Sequence, residues 1–237
     1  MTQIKLGEIT VDVVRKDIKN IHLSVYPPTG RVRISAPSRI KLETIRVYAV
    51  SKLGWIKKQQ EKLRSQERET PRDYITRESH YFMGKRYLLK ITETDASQTV
   101  VLRHREIELV VKKGADLKQK QKLLEDWYRK RLRHSAGKYI AFWEKQMNLK
   151  VEEFGIKRMR TKWGSCNREA KRIWLNLELA KKPKECLEYI VVHEMVHVLE
   201  RNHGTRFVAL MDQFLPQWRQ YKDELNRLPV GHSNWRY

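Results

Sequence analysis

Cysteine and long apolar runs are both scarce in this chain. It contains two cysteines in 237 residues, Cys166 and Cys186, too few for the disulfide framework of a small secreted protein. Both thiols are therefore predicted to be reduced, and the protein is predicted to be cytoplasmic. The first twelve residues lack the apolar stretch of a signal peptide. Because no apolar run exceeds a few residues, we expect no membrane-spanning helix and no membrane partner.

Acidic side chains are the minority among the charged residues. The 28 Asp and Glu residues stand against 50 Lys and Arg residues, which gives a net charge of +22. The densest basic run lies between Lys112 and Arg133, inside a helical pattern. A basic face can bind phosphates, so the helix at 118–133 is one candidate surface for non-specific nucleic-acid contact. The other reading is a solvated helix face with no ligand.

Hydrophobic periodicity predicts an α+β fold. Alternating apolar residues indicate short strands within 4–34 and 80–111, with a helix over 41–68 between them. A long helix is expected over 116–147, extended chain over 155–179, and a helix over 183–201 followed by shorter helices. No internal repeat is visible. We expect a single domain over 1–237, with sub-regions at 1–114 and 115–237.

The long predicted helix carries apolar residues every three or four positions, the spacing of one buried face. These residues are Leu124, Tyr128, Leu132, Ala136, Ile140, Trp143 and Met147.

The segment with a clear chemical signature is His193-Glu194-Met195-Val196-His197. Histidines four residues apart lie about 40° apart around a helix and one turn along it, so both imidazoles can reach one metal ion. Glu194 lies on the flank of the same face, where it can act as general base without being a ligand. A catalytic zinc usually has three protein ligands and one open position. The sequence therefore predicts a zinc-dependent hydrolase.

The third ligand is predicted to be His203. A helix continued to this position would carry the side chain about 9 Å further along the axis, so the helix must end and the chain must fold back. Asn202 and Gly204 flank His203. Both residue types tolerate the left-handed conformation that often ends helices.

Two alternatives use Cys166. It can be a fourth ligand that closes a structural zinc site, or a nucleophile paired with a histidine. The remaining reading is a small thiol beside a tight turn. A basic nucleic-acid-binding module with a structural zinc is the corresponding non-enzyme alternative.

Three segments together resemble a known family. They are the run from Arg160 through Lys162, Trp163 and Gly164 to Cys166, the run Ile173-Trp174-Leu175-Asn176-Leu177, and the histidine motif with Asn202-His203. The sequence is similar in these segments to the YgjP-like metallopeptidases, which are close to the WLM and SprT-like proteases. The resemblance covers nearly the whole chain. It implies a zincin-like core, zinc bound by His193, His197 and His203, and Glu194 as catalytic base and acid.

The resemblance also implies a substrate class. It indicates a peptidase acting on a peptide or protein, and hydrolysis of nucleoside triphosphates is the alternative activity. No glycine-rich phosphate loop is visible in the sequence. In zincins an edge strand beside the metal-binding helix pairs with an extended peptide. The strand near Ile173–Leu177, or the one entering Trp163, is the candidate here.

Several side chains are candidates for contact with the substrate. They are Arg160, Trp163, Trp174 and Asn176. A basic or phenolic group is also expected to assist the reaction, and the sequence does not choose among Arg160, Lys162 and Tyr189.

Overall fold

The computed structural model describes residues 2–26, 29–65, 71–159 and 162–229. The chain divides into two compact units, which we call unit 1 (Met1–Arg68) and unit 2 (Glu69–His232). Each unit has its own hydrophobic core. The predicted sub-regions, 1–114 and 115–237, do not coincide with these units, because strands within 79–112 belong to the second one. A single domain over the whole chain stays a prediction.

Unit 1 is a four-stranded sheet with two helices. Its strands are β1 (Thr2–Leu6), β2 (Ile9–Lys16), β3 (His22–Tyr26) and β4 (Arg31–Pro37), in the order β1-β2-β4-β3. The central pair, β2 and β4, is parallel, and both outer pairs are antiparallel. Alternate residues of the strands point into a core that includes Val11, Val32 and Ile34.

The helix predicted over 41–68 is two helices, α1 (Leu42–Ser51) and α2 (Leu53–Ser65). The break lies at Lys52, whose amide donates to the Ala49 carbonyl at 3.2 Å in a tight turn. Ile45, Ala49 and Ile56 are fully buried on both sides of it. Since the apolar spacing continues across the break, periodicity alone could not locate it. Residues 66–68 of the predicted helix lie outside the described residues.

Unit 2 begins with a sheet of the same strand order. Its strands are β5 (Ser79–Phe82), β6 (Lys85–Thr94), β7 (Thr99–Leu102) and β8 (Glu106–Lys112), in the order β5-β6-β8-β7. The central pair is again parallel and the outer pairs antiparallel. The two sheets therefore repeat one topology, although the sequence shows no internal repeat.

The long helix α3 (Leu117–Met147) follows, close to its predicted bounds. Asp116 and Gln119 form a capping box at its start, and Asn148 ends it in the left-handed conformation. All seven apolar residues of the predicted stripe are buried, which confirms that face. The helix contacts its own sheet and also the next layer of the unit.

That next layer contains a small mixed sheet and the remaining helices. Its elements are β9 (Glu153–Lys157), β10 (Gly164–Asn167), β11 (Arg172–Asn176), a 3-10 helix (Leu177–Lys181), α4 (Lys184–Leu199), α5 (Thr205–Phe214) and α6 (Trp218–Arg227). The strand order is β10-β11-β9, so β10 is an edge strand. The predicted α+β class is confirmed. In the described ranges no helix combines the length and apolar character needed to cross a bilayer.

Candidate metal centre

Two of the predicted ligands lie on one face of α4. His193 and His197 are one turn apart on a helix whose other faces pack into the core of unit 2. Trp143 of α3 donates to the Glu188 carboxylate of α4 at 3.1 Å, so the long helix holds the metal-binding helix in place. Because most of α4 is buried, its histidine face has a fixed orientation.

The third predicted ligand reaches the same place after the helix ends. Helix α4 stops at Leu199, as the predicted helix break requires, and Glu200 is extended. The left-handed conformation expected at Asn202 and Gly204 is wrong, since Gly204 has a φ of −82° and Asn202 is not among the residues with positive φ. Gly204 is instead the N-cap of α5. The chain changes direction between α4 and α5 through the extended residue Glu200 and the bend that follows it.

Side chains form hydrogen bonds with backbone groups at the C-terminal end of α4. The Glu200 carboxylate accepts from the backbone N–H of Asn202 at 3.1 Å. Arg168 donates to the carbonyls of Val198 and Leu199. These bonds pair backbone groups that a helix end leaves free, and they hold the segment that carries His203.

The three imidazoles converge through their Nε2 atoms. The Nε2 atom of His203 lies 3.1 Å from the Nε2 atoms of both His193 and His197. All three ligand atoms lie within 4.8 Å of one another. Nitrogen ligands about 2.0–2.1 Å from a tetrahedral zinc ion are roughly 3.3 Å apart, so the donor set fits one such ion. The residues present therefore can hold a metal.

A hydrogen bond of His197 indicates which of its ring nitrogens carries the proton. Its Nδ1 atom lies 3.1 Å from the Glu200 carbonyl, which can only accept, so Nδ1 carries the proton. Nε2 then presents its lone pair to the other two rings, as a ligand must. The Nδ1 atom of His193 is buried without a partner among the described residues, so packing orients that ring.

Phe207 supplies much of this packing. Its ring is almost fully buried, and its centroid lies 5.0, 4.8 and 4.6 Å from those of His193, His197 and His203. The sequence pattern predicts only short helices after His203 and indicates no such role for Phe207. Its position four residues after His203 was the available signal, since α5 begins between them.

The pKa values of two of the histidines, His193 and His203, are lowered. Desolvation, with the neighbouring His197, His203 and Lys222, lowers the pKa of His193 to about 3. Desolvation and the charges of His197 and Lys222 also lower the pKa of His203. Neutral imidazole is the form that binds a metal ion, so these lowered pKa values favour metal binding.

Glu194 lies beside these ligands against the edge strand. It is 5% exposed, and desolvation raises its pKa to about 8, opposed by Lys162. A Cβ atom on Gly164 would lie 2.5 Å from the Glu194 Oε1 atom and 2.7 Å from its Cγ atom. Only glycine leaves room for this carboxylate. Gly164 belongs to one of the family-like segments, but its sequence context does not indicate this role.

A cavity of about 1160 Å³ opens over the histidines and Glu194. Of the candidate substrate contacts, Trp163 lines it. Lys162 and Tyr189 line it as well. Arg160 lies outside the described residues.

The other two candidates lie elsewhere. Asn176 donates to the carbonyls of Met159 and Lys162 at 2.9 and 2.7 Å, so its amide organises the loop before β10 and is not a cavity wall. The Trp174 ring packs over Gly155, with the Lys157 ammonium 3.4 Å from its centroid. Both side chains have protein partners and do not line this cavity, and their contact with substrate stays a prediction.

Of the two candidate strands for pairing with a peptide, β10 is the one at an edge of its sheet. Strand β11 is paired on both sides, with β10 and with β9, so it has no edge to offer a peptide. This excludes the strand near Ile173–Leu177 as a pairing edge and leaves the one entering from Trp163. Residues 164–167 of β10 line the cavity.

Cys166 also lines the cavity but does not join the ligand group. The set of side chains within metal-binding distance contains the three histidines alone among the described residues. Burial, with the charge of Glu194, raises the pKa of the Cys166 thiol to about 11. A thiol of this kind is a poor nucleophile and a poor ligand at neutral pH.

The basic run on α3 has internal partners. Arg129 donates to the Ile156 carbonyl at 2.7 Å, and Lys122 pairs with Asp126. The Arg131 and Arg133 guanidinium groups lie over the rings of Trp127 and Phe154. Much of this charge serves packing within unit 2, which gives no support to nucleic-acid binding.

The two histidines of α4 and the returning third histidine form a candidate metal centre beside an edge strand. The sequence matches the family model of the YgjP-like metallopeptidase domain over residues 19–228. The chain belongs to this family. Membership implies a metal ion and a peptide or protein substrate, and it agrees with the zincin-like core expected from the sequence.

Two solved structures show a distant likeness. One is the metallopeptidase zymogen abylysin of Pyrococcus abyssi, 14% identical, with a TM-score of 0.36 over 38% of this chain and 90% of that one. The other is the zymogen jannalysin of Methanocaldococcus jannaschii, 20% identical, with a TM-score of 0.33 over 40% and 92%. No curated protein matches the chain.

Proposed function

We propose that the protein is a zinc-dependent peptidase with His193, His197 and His203 as ligands and Glu194 as general base. The observation that carries the proposal is the convergence of three histidine Nε2 atoms in one cavity with a buried carboxylate. When bound, the zinc ion would acidify a water molecule and polarise the scissile carbonyl.

Glu194 moves the proton. Its carboxylate takes a proton from the attacking water as the carbon–oxygen bond forms, and returns it to the amine as the carbon–nitrogen bond breaks. Burial raises its pKa to about 8, although the charge of Lys162 opposes the shift. A cation held by the adjacent histidines favours the ionised form, which is the form a base needs.

The edge strand β10 positions the substrate. An extended peptide that pairs with residues 164–167 lies along the cavity wall, beside both Glu194 and the histidines. Backbone pairing holds a peptide in register irrespective of its side chains. Such an edge suits a polypeptide better than a nucleotide.

A substrate panel tests this proposal. Zinc-loaded protein is incubated with unfolded proteins, peptides and nucleoside triphosphates, using wild type, Glu194→Gln and Glu169→Gln. Glu169 is the matched control, because it is a carboxylate that lines the same cavity but is exposed. We expect peptide cleavage that falls at least about 100-fold in Glu194→Gln and remains in Glu169→Gln, with zinc bound in all three.

Two outcomes would contradict it. Release from nucleotides alone, lost in Glu194→Gln, would show that the centre is a nucleotide hydrolase. Tight, salt-sensitive nucleic-acid binding that Glu194→Gln leaves unchanged, without any hydrolysis, would indicate a binding module with a structural zinc.

A further inference from the structure

Tyr189 is a polar side chain that the proposed mechanism does not yet use. It lies on α4 one turn before His193, so it shares the face that carries the ligands. The residue is 5% exposed, yet it lines the cavity over the histidines and Glu194. A buried phenol usually has a hydrogen-bond partner, because leaving it without one costs free energy.

The Tyr189 hydroxyl has no such partner among the described residues. The residue is one of those that border the cavity. A hydroxyl at this wall with no partner among the described residues is available to a bound ligand.

The ring of Tyr189 is held on two sides. It stacks on Trp218 with an interplanar angle of 14° and a centroid distance of 6.3 Å, and it meets the His193 ring edge-on at 5.8 Å. Trp218 is itself fixed, because its indole nitrogen donates to Asp212 at 2.7 Å. This clamping sets the direction of the hydroxyl before any substrate binds, which is the condition for effective stabilisation of a developing charge.

The Tyr189 hydroxyl can act as a donor. A phenol is protonated at neutral pH and can donate its O–H to an acceptor. Glu194 is assigned to proton transfer, and His193 and His197 are assigned to the metal. Among the described residues of α4 that line the cavity, Tyr189 is the remaining polar side chain.

We propose that Tyr189 is a further catalytic residue, whose hydroxyl donates a hydrogen bond to the scissile carbonyl oxygen as that oxygen becomes negative. This inference rests on the proposed peptidase function. The bond forms with substrate and strengthens toward the tetrahedral intermediate, so it lowers the barrier more than it tightens ground-state binding.

Tyr189→Phe is the informative variant, because it keeps the ring that packs on Trp218 and His193 and removes the hydroxyl alone. Tyr139→Phe is the control, since Tyr139 is a partly buried phenol on α3 that does not line the cavity. We expect kcat to fall about 100-fold in Tyr189→Phe with KM within about twofold, and no change in Tyr139→Phe. Zinc content and thermal midpoint should match wild type in both.

A binding measurement separates this role from structural packing and from peptidase activity itself. A phosphinic peptide, which mimics the tetrahedral intermediate, is titrated into zinc-loaded wild type and Tyr189→Phe by calorimetry. We expect the affinity for the phosphinic peptide to fall about tenfold in Tyr189→Phe. The parent peptide, which Glu194→Gln should not cleave, should bind equally well to Glu194→Gln and to the double variant Glu194→Gln with Tyr189→Phe.

Equal phosphinate affinity, or an unchanged kcat, would overturn the role of Tyr189. If wild type cleaves no peptide, the proposed function fails by that result alone, and the phosphinate comparison still decides whether the hydroxyl contacts a tetrahedral anion.

Discussion

Units 1 and 2 begin with sheets of the same strand order but continue differently. In unit 1 the sheet is followed by helices of 10 and 13 residues, and the core closes around Ile45, Ala49 and Ile56. In unit 2 it is followed by a helix of 31 residues. The longer helix of unit 2 contacts a further layer as well as its own sheet.

The contacts of α3 show how it supports that layer. Near its start, the Tyr128 hydroxyl donates to the Tyr81 carbonyl of β5. Further along, Arg129 reaches the Ile156 carbonyl of β9, and Trp143 reaches Glu188 of α4. One helix thus ties the repeated sheet to the metal-binding helix. The predicted ligands lie in the layer that follows this sheet in unit 2. The following variants test whether the site depends on unit 2 and not on unit 1.

The largest effect is expected from Gly164→Ala in unit 2. The added Cβ would lie 2.5 Å from the Glu194 Oε1 atom, so the carboxylate must move away from its place beside the histidines. We expect kcat/KM for peptide cleavage to fall about 100-fold or more, because the base loses its position. Zinc content, measured by mass spectrometry, should not change.

Two other glycines give matched controls, one in each unit. Gly137 on α3 has room for a Cβ, at 3.5 Å from Phe154, and Gly54 on α2 has open space. Both alanine variants should keep full activity and gain up to about 1 kcal/mol of stability, as alanine does in a helix. Loss of activity in all three variants would show that glycine is needed for folding and not for the fit of Glu194.

The next effect compares the two cores. Leu132 in unit 2 and Ile45 in unit 1 are both fully buried, so truncation to alanine should cost about 2–5 kcal/mol at either site. We expect Leu132→Ala to weaken zinc binding and Ile45→Ala to leave it unchanged, because α3 supports α4. Hydrogen exchange followed by segment would locate each loss. Equal loss of zinc affinity in both variants would contradict the claim that the metal site depends on the core of unit 2 and not on that of unit 1.

The smallest effect concerns pH. His80 in unit 2 is buried against Glu78, and desolvation, assisted by Arg72 and Lys181, lowers its pKa despite the Glu78 hydrogen bond. A depressed histidine pKa stabilises the fold above the unfolded value of about 6.5, and this contribution is lost as pH falls toward the folded value. Wild type should therefore lose more stability between pH 7 and pH 5 than His80→Gln does.

Unit 1 should not share this response. Burial would raise the pKa of Asp12, but bonds from Gln3 and Arg31 outweigh it and lower the pKa. Its contribution is present above the unfolded value of about 3.9 and is lost only below it. Chemical denaturation at pH 7 and pH 5, with the exposed His104→Gln as control, measures the difference. Identical pH dependence in His80→Gln and wild type would contradict it.

Much of this molecule could be predicted from sequence where a pattern is local. The buried stripe of α3 follows helical spacing, and His193, Glu194 and His197 lie on one turn. The break at Lys52 could not be predicted, because apolar spacing continues through it. The roles of Gly164 and Phe207 depend on contacts with residues 30 positions away or across a helix boundary, which no single pattern records.

The predicted substrate contacts Trp174 and Asn176 show the same limit of sequence patterns. Trp174 and Asn176 lie in a family motif, and both are tied to neighbouring backbone or side chains of unit 2 in the folded chain. A motif does not say which of its members face the cavity. The conformation at Asn202 and Gly204 was predicted from residue type, whereas the Glu200 and Arg168 contacts fix the actual reversal.

The most direct test is the zinc content of purified wild type and His203→Ala after dialysis. His203 is the ligand that the chain brings back after α4 ends, so it depends on the fold as well as the motif. We predict one zinc ion per wild-type chain and less than a tenth of that in His203→Ala, with the helical content of both unchanged. A wild type that binds no metal, or a His203→Ala variant that retains one full equivalent, would contradict the three-histidine centre.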